Sequence, residues 1–257
     1  MGRVVWIKEN KMSQKLTVVI IVYNEEKNIR EAILSAKLLG ADVLVIDSAS
    51  ADNTKKIAES LGAKVVESGI QKDFAAKRNL AKKYATTPWL FHLDADERVT
   101  EELAVAVKKA VEGEFYIYEI KRVTTSLGGA HKFGSLSPDY VRRLMPREAE
   151  WIGKVHEHPE CNCKTRRLSG YITHEPYENW STWLEKVENY STIWATDAHK
   201  KGKKATALTP FCRAAFGFIK IYLIKGGCLD GILGLNMSIA HAFYTFMKYI
   251  KLLELRK

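Results

Sequence analysis

Asp94 and Asp96, one residue apart in Asp94-Ala95-Asp96, follow directly on the apolar run at positions 88–93 (PWLFHL). Hard oxygen donors at this spacing suit Mg²⁺ or Mn²⁺, ions that bind through few carboxylates together with substrate phosphates. Such a cation would hold a diphosphate. The same pair also reads as acids at the positive start of a helix, where carboxylates are stabilised. Asp47 closes a second apolar run at 42–46 (DVLVI). A carboxylate there either caps the following turn or accepts a hydrogen bond from a nucleobase N–H. Arg78 and Asn79 lie on the segment ahead of the Asp94 run. They read as a solvated face or as groups that neutralise phosphate.

The elements around these residues place them on one rim. LTVVIIV (16–22) is a continuous β-branched run, the pattern of a strand buried on both faces. Further strands are expected at 42–46, 64–67 and 88–93, with helices at 28–39, 52–61, 73–84 and 100–112. Ser50 is the expected cap of the second helix, Asp73 starts the third, and Thr100 caps the fourth. Strands alternating with helices indicate an open α/β sheet, and such sheets bind ligands beyond the carboxyl ends of their strands. Asp47 and Asp94–Asp96 both sit at such ends. After Glu112 the pattern changes. A longer strand is expected at 115–123, short strands over 126–170, a return strand at 171–174, and helices at 180–200, 207–225 and 229–253.

With 257 residues, 46% of them hydrophobic, the chain can bury a full core, which excludes disorder. Four Cys make no disulfide framework. The net charge of +10 points to an anionic partner, and its placement is uneven. Residues 199–257 hold 11 Lys and Arg against Asp230 and Glu254 alone, whereas the rest is nearly neutral. The longest stretch there without a charged side chain is 17 residues, 231–247, short for a span that needs about 20 mostly apolar residues. No secretory signal is visible at the start.

The runs VVIIVYNEEKNIREAILSA, VIDSASADNT, DFAAKRNLA and WLFHLDADERVTEEL together resemble the family 2 glycosyltransferases of GT-A fold. PDYVRRLMPRE, WIGKVHEHPE, GYITHEPY and GGCLDGILG resemble the lipopolysaccharide-core subgroup, typified by inner-core β-1,4-glucosyltransferases. The resemblance runs over about residues 16–252. It implies a mixed GT-A sheet flanked by helices over 16–178, with a nucleotide-binding half at 16–112 and an acceptor half at 113–178. Residues 1–15 would be a leader and 179–257 a helical extension. It also implies that Asp47 binds the uracil of a UDP-sugar, with Tyr23, Asn24, Glu25 and Ser48 lining the nucleotide pocket. Asp73 and Arg78 would lie beside the nucleotide. Asp94 and Ala95 would face the ribose and sugar, and Asp96 and His174 would hold Mg²⁺ or Mn²⁺. Ser48 stands where the wider family often has a second Asp.

The implied reaction is inverting transfer, with a carboxylate base deprotonating an acceptor hydroxyl and the cation stabilising the departing diphosphate. Glu157 is the expected base and Asp139 the runner-up. Arg142 and Arg143 would hold phosphates of acceptor or nucleotide. The expected donor is UDP-glucose and the expected acceptor a membrane glycolipid of the lipopolysaccharide-core type. Polyprenyl phosphate, another glycan or a protein remain alternative acceptors. A basic interaction module on a degenerate nucleotide-binding scaffold is the non-enzymatic alternative. The basic, apolar tail reads as a surface that docks on anionic membrane or as a merely solvated face. No recognition motif supports nucleic acid. The expected location is cytoplasmic, peripheral on the inner membrane. Trp180, Trp183, Tyr190 and Trp194 read as helix core. His156, His158, Cys161 and Cys163 are spaced too tightly for common zinc patterns.

Overall fold

The computed structural model describes residues 12–70, 73–134, 136–137, 139–153, 157–177 and 179–255. In chain order the elements are β1 (Leu16–Val22), α1 (Ile29–Ala36), β2 (Asp42–Asp47), α2 (Thr54–Ser60), β3 (Lys64–Glu67), α3 (Phe74–Leu80), β4 (Trp89–Asp94), β5 (Glu97–Val99) and α4 (Glu101–Ala110). They continue with β6 (Ile117–Ser126), β7 (Gly129–Ala130), β8 (Asp139–Pro146), β9 (Glu150–Ile152), β10 (His158–Glu160), β11 (Thr165–His174), α5 (Trp180–Lys200), α6 (Thr209–Ile219) and α7 (Gly231–Glu254). The main sheet runs β3-β2-β1-β4-β8-β6-β11-β5, with β7 paired on β6, and β9 and β10 form a separate ribbon.

The sheet is parallel through β2, β1 and β4, where Ile21 pairs with Ile46 on one side and Asp94 on the other. Strand β8 then joins β4 antiparallel, Phe91 facing Leu144. This register puts the ends of β2 and β4 on either side of the end of β1, so Asp47 and Asp94 emerge on one edge. Strand β1 is apolar except at Thr17, whose hydroxyl bonds to that of Thr87 at 2.8 Å, because both of its faces are covered. Leu16, Val18 and Ile20 pack with α1 and α4 side chains such as Ile33 and Leu103, while Val19 packs with Leu44 and Ile46 on the other face. Each such side chain contributes roughly 1.5–3 kcal/mol by burial.

Helix starts follow local side-chain chemistry. Asp73 caps α3 by accepting from Ala76 N at 2.9 Å. Thr100 caps α4 by accepting from Leu103 N at 3.3 Å, and its hydroxyl donates to Tyr171 O at 2.6 Å. Beside it, β11 approaches α4 so closely that a Cβ on Gly170 would lie 2.6 Å from the Leu103 backbone, and Gly170 has φ +83°. Only glycine meets both conditions. Ser50, expected to cap α2, does not: the helix starts at Thr54 after Asn53, and the Ser50 hydroxyl turns instead to Asp47. Strand β5 was not expected: the acids after 88–93 read as the turn that closes that strand, with the next helix starting at Thr100.

The chain divides into two compact units. The first holds residues through Arg122 together with Tyr140–Thr173; the second holds Val123–Asp139 and His174–Lys257. In the second unit α7 packs along both α5 and α6. Ala195, Ala198, Tyr249 and Leu252 form one small core, and Trp183, Val187 and Ala240 another. Of the aromatic run on α5, Trp183 alone is buried among the core residues, Trp180 and Tyr190 are exposed, and Trp194 is half-covered by Tyr249. The run is therefore not the uniform core face expected: its spacing keeps it within about 80° of one helix face, but α7 covers that face only in part, at Trp183 beside Phe243 and at Trp194 beside Tyr249. The expected helix at 207–225 is α6 followed by one π-turn, Lys220–Ile224.

Candidate active site

At the end of β2 the Asp47 carboxylate is buried and accepts from Ser50 N at 3.2 Å. The next strand end is tied in by Asn24 N, which donates to Ser50 Oγ at 2.9 Å, and by Ala51 N, which donates to Asn24 Oδ1 at 2.8 Å. To close this ring of short contacts, Asn24 and Ala49 take φ of 53° and 62°, in the left-handed region that side chains with a Cβ disfavour. Strain at such positions gathers where a ligand is gripped. Glu25 N donates to Thr54 Oγ1 at 2.8 Å, and Glu25 Oε2 accepts from Asn28 at 2.8 Å, so Glu25 organises the turn. Tyr23 stands exposed above it. Among the described residues the Ser48 and Ser68 hydroxyls are buried without a hydrogen-bond partner, a condition that a bound polar ligand would relieve. Burial pulls the Lys77 ammonium below the usual lysine range, against the attraction of Asp47.

At the end of β4 the chemistry is ionic. Arg78 Nη2 donates to Asp94 Oδ1 at 2.7 Å, and Arg143 Nη2 donates to Asp94 Oδ2. Burial alone would raise the Asp94 carboxyl, but Arg143 and Arg78 outweigh it and hold it well below the usual carboxylate range. Arg143 is in turn fixed by Glu97, which is 0% exposed. Its Nε donates to Glu97 Oε2 at 3.0 Å and its Nη2 to Glu97 Oε1 at 2.6 Å. Glu97 also accepts from Arg122 at 3.3 Å and from Asp94 N at 3.1 Å. Burial opposes the Arg143 charge, yet Asp94 and Glu97 more than restore it, so the guanidinium stays ionised.

Arg78 is 3% exposed and lies over the Trp151 ring at 4.7 Å, a cation–π contact. Asn79 pins Trp151 by accepting from its N–H at 2.9 Å and donating to its carbonyl at 2.8 Å. The Trp151 indole donates to His92 Nε2 at 3.2 Å. Burial, then the Arg78 and Arg143 charges, hold His92 far below its ordinary value, so it is a neutral acceptor. Among the described residues two donors of Arg78, Nε and Nη1, have no hydrogen-bond partner. The Glu157 carboxylate lies 3.9 Å from Arg78 Nε, close enough for ionic attraction alone.

Glu157, Arg78, Asp94, Arg142 and Arg143 line a cleft of about 510 Å³ in the first unit. The structure thus brings Glu157 and Asp94 onto one cavity through their shared neighbour Arg78. Arg142 is half-exposed there and pairs with Glu119 at 3.6 Å, while the Arg143 charge is taken up by Glu97 and Asp94. Asp96 is half-buried on the short turn between β4 and β5, and Ala95 beside it is buried. Asp73 serves as the α3 cap. Asp139 and His174 belong to the second unit, where His174 Nδ1 lies 3.3 Å from Thr124 Oγ1. Cys161 and Cys163 are joined by a disulfide, and His156 lies outside the described residues. Among the described residues no group of three or more His, Cys, Asp or Glu could hold a metal ion. Sequence reasoning missed Glu97, Trp151 and His92. The signal for Glu97 was a third acid directly after the Asp pair, two residues before the β-branched Val99.

Residues 17–165, more than half of the chain, match the sequence pattern of the family described as Glycosyl transferase family 2. The chain belongs to glycosyl transferase family 2. This glycosyltransferase has the family's GT-A-like mixed sheet flanked by helices. It is 26% identical over 269 residues to an uncharacterized glycosyltransferase of Rickettsia typhi, covering 94% of this chain and 88% of the relative. It is 24% identical over 259 residues to the lipopolysaccharide core biosynthesis glycosyltransferase LpsC of Rhizobium meliloti, covering 93% and 92%. Among solved structures, S. aureus TarS 1–349 in complex with UDP aligns at TM-score 0.48 and 15% identity, over 92% of this chain and 91% of that one.

Proposed function

We propose that this glycosyltransferase moves a sugar, glucose first among the candidates, from a UDP-sugar to a membrane glycolipid of the lipopolysaccharide-core type, with inversion at the anomeric carbon. The carrying observation is Arg78: a buried guanidinium with two unpartnered donors, set between Asp94 and the Glu157 carboxylate in one cleft. Buried N–H groups in that state are matched to an anionic ligand, and the diphosphate of a nucleotide-sugar supplies one. The buried Asp47 carboxylate would accept from the uracil N–H, with Ser48 and Ser68 completing the base pocket. The lipopolysaccharide-core name of the Rhizobium meliloti relative supports the acceptor class.

The donor set fits a divalent cation of the Mg²⁺ or Mn²⁺ kind. Asp94 is engaged by two arginines, so of the first unit's carboxylates Asp96 is the one that would hold the ion. A hard cation bound through so few side chains draws its remaining ligands from phosphate and water. When bound, it supplies positive charge to the leaving diphosphate.

The protein's own residues do the rest. Arg78 donates to the diphosphate as the bond from the anomeric carbon to its oxygen breaks. The acceptor hydroxyl oxygen attacks that carbon from the opposite face, and its proton passes to the Glu157 carboxylate. Arg142, at the cleft's outer edge, is placed for a phosphate on the acceptor. We assign the enzyme to the cytoplasmic face of the inner membrane, where nucleotide-sugars and nascent glycolipid would meet.

The test is UDP release across a panel of UDP-sugars with Mg²⁺ or Mn²⁺, for wild type, Asp96→Ala and Glu157→Gln. Glu157→Gln should lower kcat by at least about 100-fold with little change in KM for the donor. Asp96→Ala should abolish metal dependence. Full activity in either variant removes the role assigned to that residue.

A further inference from the structure

The second unit ends in a helical hairpin, α6 and α7, whose tip is built with its small residues inside and its large apolar ones outside. Gly217 is buried, and a Cβ there would lie 3.5 Å from His241 and Thr245 of α7. At the tip the backbones nearly touch: a Cβ on Gly234 would meet Gly227 O at 1.8 Å, and one on Gly227 would meet Ile221 O at 2.8 Å. Ser238 Oγ completes this inner seam by donating to Gly234 O at 2.7 Å. Outward stand Ile232, 73% exposed, Ile224, 70%, and Leu229, 68%, with Leu223, Phe216 and Phe133 around them. In water a helix pair buries its large apolar side chains and exposes its small ones. The reverse order suits helices whose outer face meets hydrocarbon.

The tip is a fixed structure. The Asp230 carboxylate accepts from Lys132 N at 3.1 Å and Phe133 N at 2.9 Å, and Gly134 N donates to Lys225 O at 3.0 Å. These bonds also settle the charge of the surface. Asp230 is the only acid near the tip in sequence, and its carboxylate faces backbone amides. Lys132, Lys220 and Lys225 flank the apolar side chains and are exposed. An apolar patch of this kind marks a docking surface. Among the described residues no helix is long and apolar enough to cross a membrane.

We propose that the hairpin tip docks into the interface of an anionic lipid bilayer, its apolar side chains among the acyl chains and its three lysines at the headgroups. The positive rim selects an acidic lipid surface as the occupant, and the short, solvent-facing apolar tip suits partial insertion. This deepens the glycolipid-acceptor reading by naming the surface that would bring the enzyme to its substrate.

Co-sedimentation of the full chain with phosphatidylglycerol-containing vesicles tests it against pure phosphatidylcholine vesicles, with UDP release measured in parallel on a soluble acceptor. Wild type should bind the anionic vesicles at least about tenfold better, and added salt should weaken that binding. Lys220→Gln/Lys225→Gln should lose about 25-fold, taking about fivefold per lysine. Ile224→Asp/Leu229→Asp, at exposed positions that leave the inner seam intact, should lose at least about tenfold with an unchanged circular dichroism spectrum. A fluorophore on the exposed Cys228, in a Cys212→Ser background, should shift to the blue on anionic vesicles only. Binding that ignores the Asp substitutions overturns the proposal. So does a wild type that binds no vesicle but forms a dimer those substitutions dissociate, since a second copy would then cover the tip. A wild type that binds no anionic vesicle yet releases UDP overturns the docking reading alone. Intact binding without UDP release overturns the donor reading alone.

Discussion

Replacing Glu97 by Gln removes one negative charge from beneath Asp94 and leaves the shape of the site unchanged. In the native protein the fully buried Glu97 carboxylate accepts from Arg143 through two contacts, from Arg122, and from the Asp94 backbone. Gln keeps one acceptor oxygen and turns an NH₂ group toward guanidinium donors. Losing a partner of a buried ion pair costs about 3–5 kcal/mol, and the retained oxygen returns part of that, leaving about 3 kcal/mol. For a chain of this size each kcal/mol moves Tm by about 2–4 °C, so the melting point should fall by about 6–12 °C. The matched control is Glu119→Gln, where the carboxylate pairs only at 3.6 Å with Arg142 and 3.8 Å with Arg167, both substantially exposed. Such pairs contribute about 0–1 kcal/mol, so that variant should melt within about 2 °C of wild type. Activity should separate them too. Arg143, freed from its fork, no longer holds Asp94 in one rotamer, and kcat/KM should fall about tenfold or more. Differential scanning calorimetry and initial-rate kinetics on the two variants decide the matter. If Glu97→Gln melts no lower than Glu119→Gln, the buried network does not anchor the site as argued.

Asp94→Asn should change the acid limb of stability. The folded carboxyl titrates below its unfolded value of about 3.9, so its stabilisation is complete above that pH and is lost as pH falls through and below it. Denaturant melts should therefore show the variant weaker than wild type near pH 6 and the difference shrinking toward pH 3; a constant gap would contradict the arginine pairing. Trp151→Phe leaves the buried His92 Nε2 without its donor and should cost about 1–3 kcal/mol in urea unfolding, where an unchanged midpoint would count against that hydrogen bond. Gly170→Ala places a methyl against the Leu103 backbone at positive φ and should cost about 3 kcal/mol or more, read as a lowered Tm or loss of folded protein; a normal melt would mean that β11 and α4 can part at that point.

Local chemistry was legible where a residue's partner lies within one turn of it. Strands β1 and β3 and helix α5 start and stop where periodicity and breakers place them, and Asp73 and Thr100 cap as their spacing to the next free N–H requires. Ser50 had the right type and spacing to cap α2, but Asp47 sits closer and its buried carboxylate outbids the helix for that hydroxyl. The strand-end positions of Asp47 and Asp94 follow from the βα pattern alone. Glu97 and Arg143 were opaque because their meaning lies in each other, across a separation of 46 residues. Arg143 beside Arg142 on one strand looks like a pair of phosphate ligands. Alternation along β8 instead turns one inward to the carboxylates and the other outward to the cleft. The sequence marks the tail as basic and apolar, a membrane-docking or solvated surface, but not which side chains stand outward at the hairpin tip, for a related reason. Periodicity counts apolar residues on a face without saying what that face meets.

The cleft has a consequence in charge balance. Arg78, Arg122, Arg142 and Arg143 each stand within ion-pair distance of a carboxylate among Asp94, Glu97, Glu119 and Glu157. Among the described residues that line the cleft and their partners, four positive groups thus meet four negative ones, with Arg167 outside the cleft also on Glu119, and the cleft has no surplus charge to attract a diphosphate from a distance. A nucleotide entering it must either take guanidiniums away from their carboxylates or arrive with its own counter-charge. The two routes differ in linkage. In the first, nucleotide affinity is indifferent to divalent cation and the carboxylates released by the arginines take up protons. In the second, nucleotide and cation bind as one neutralised unit, each raising the other's affinity by the same factor. The +10 carried by the whole chain has no part in this, because a neutral catalytic cleft leaves selectivity for its anionic substrate to short-range pairing.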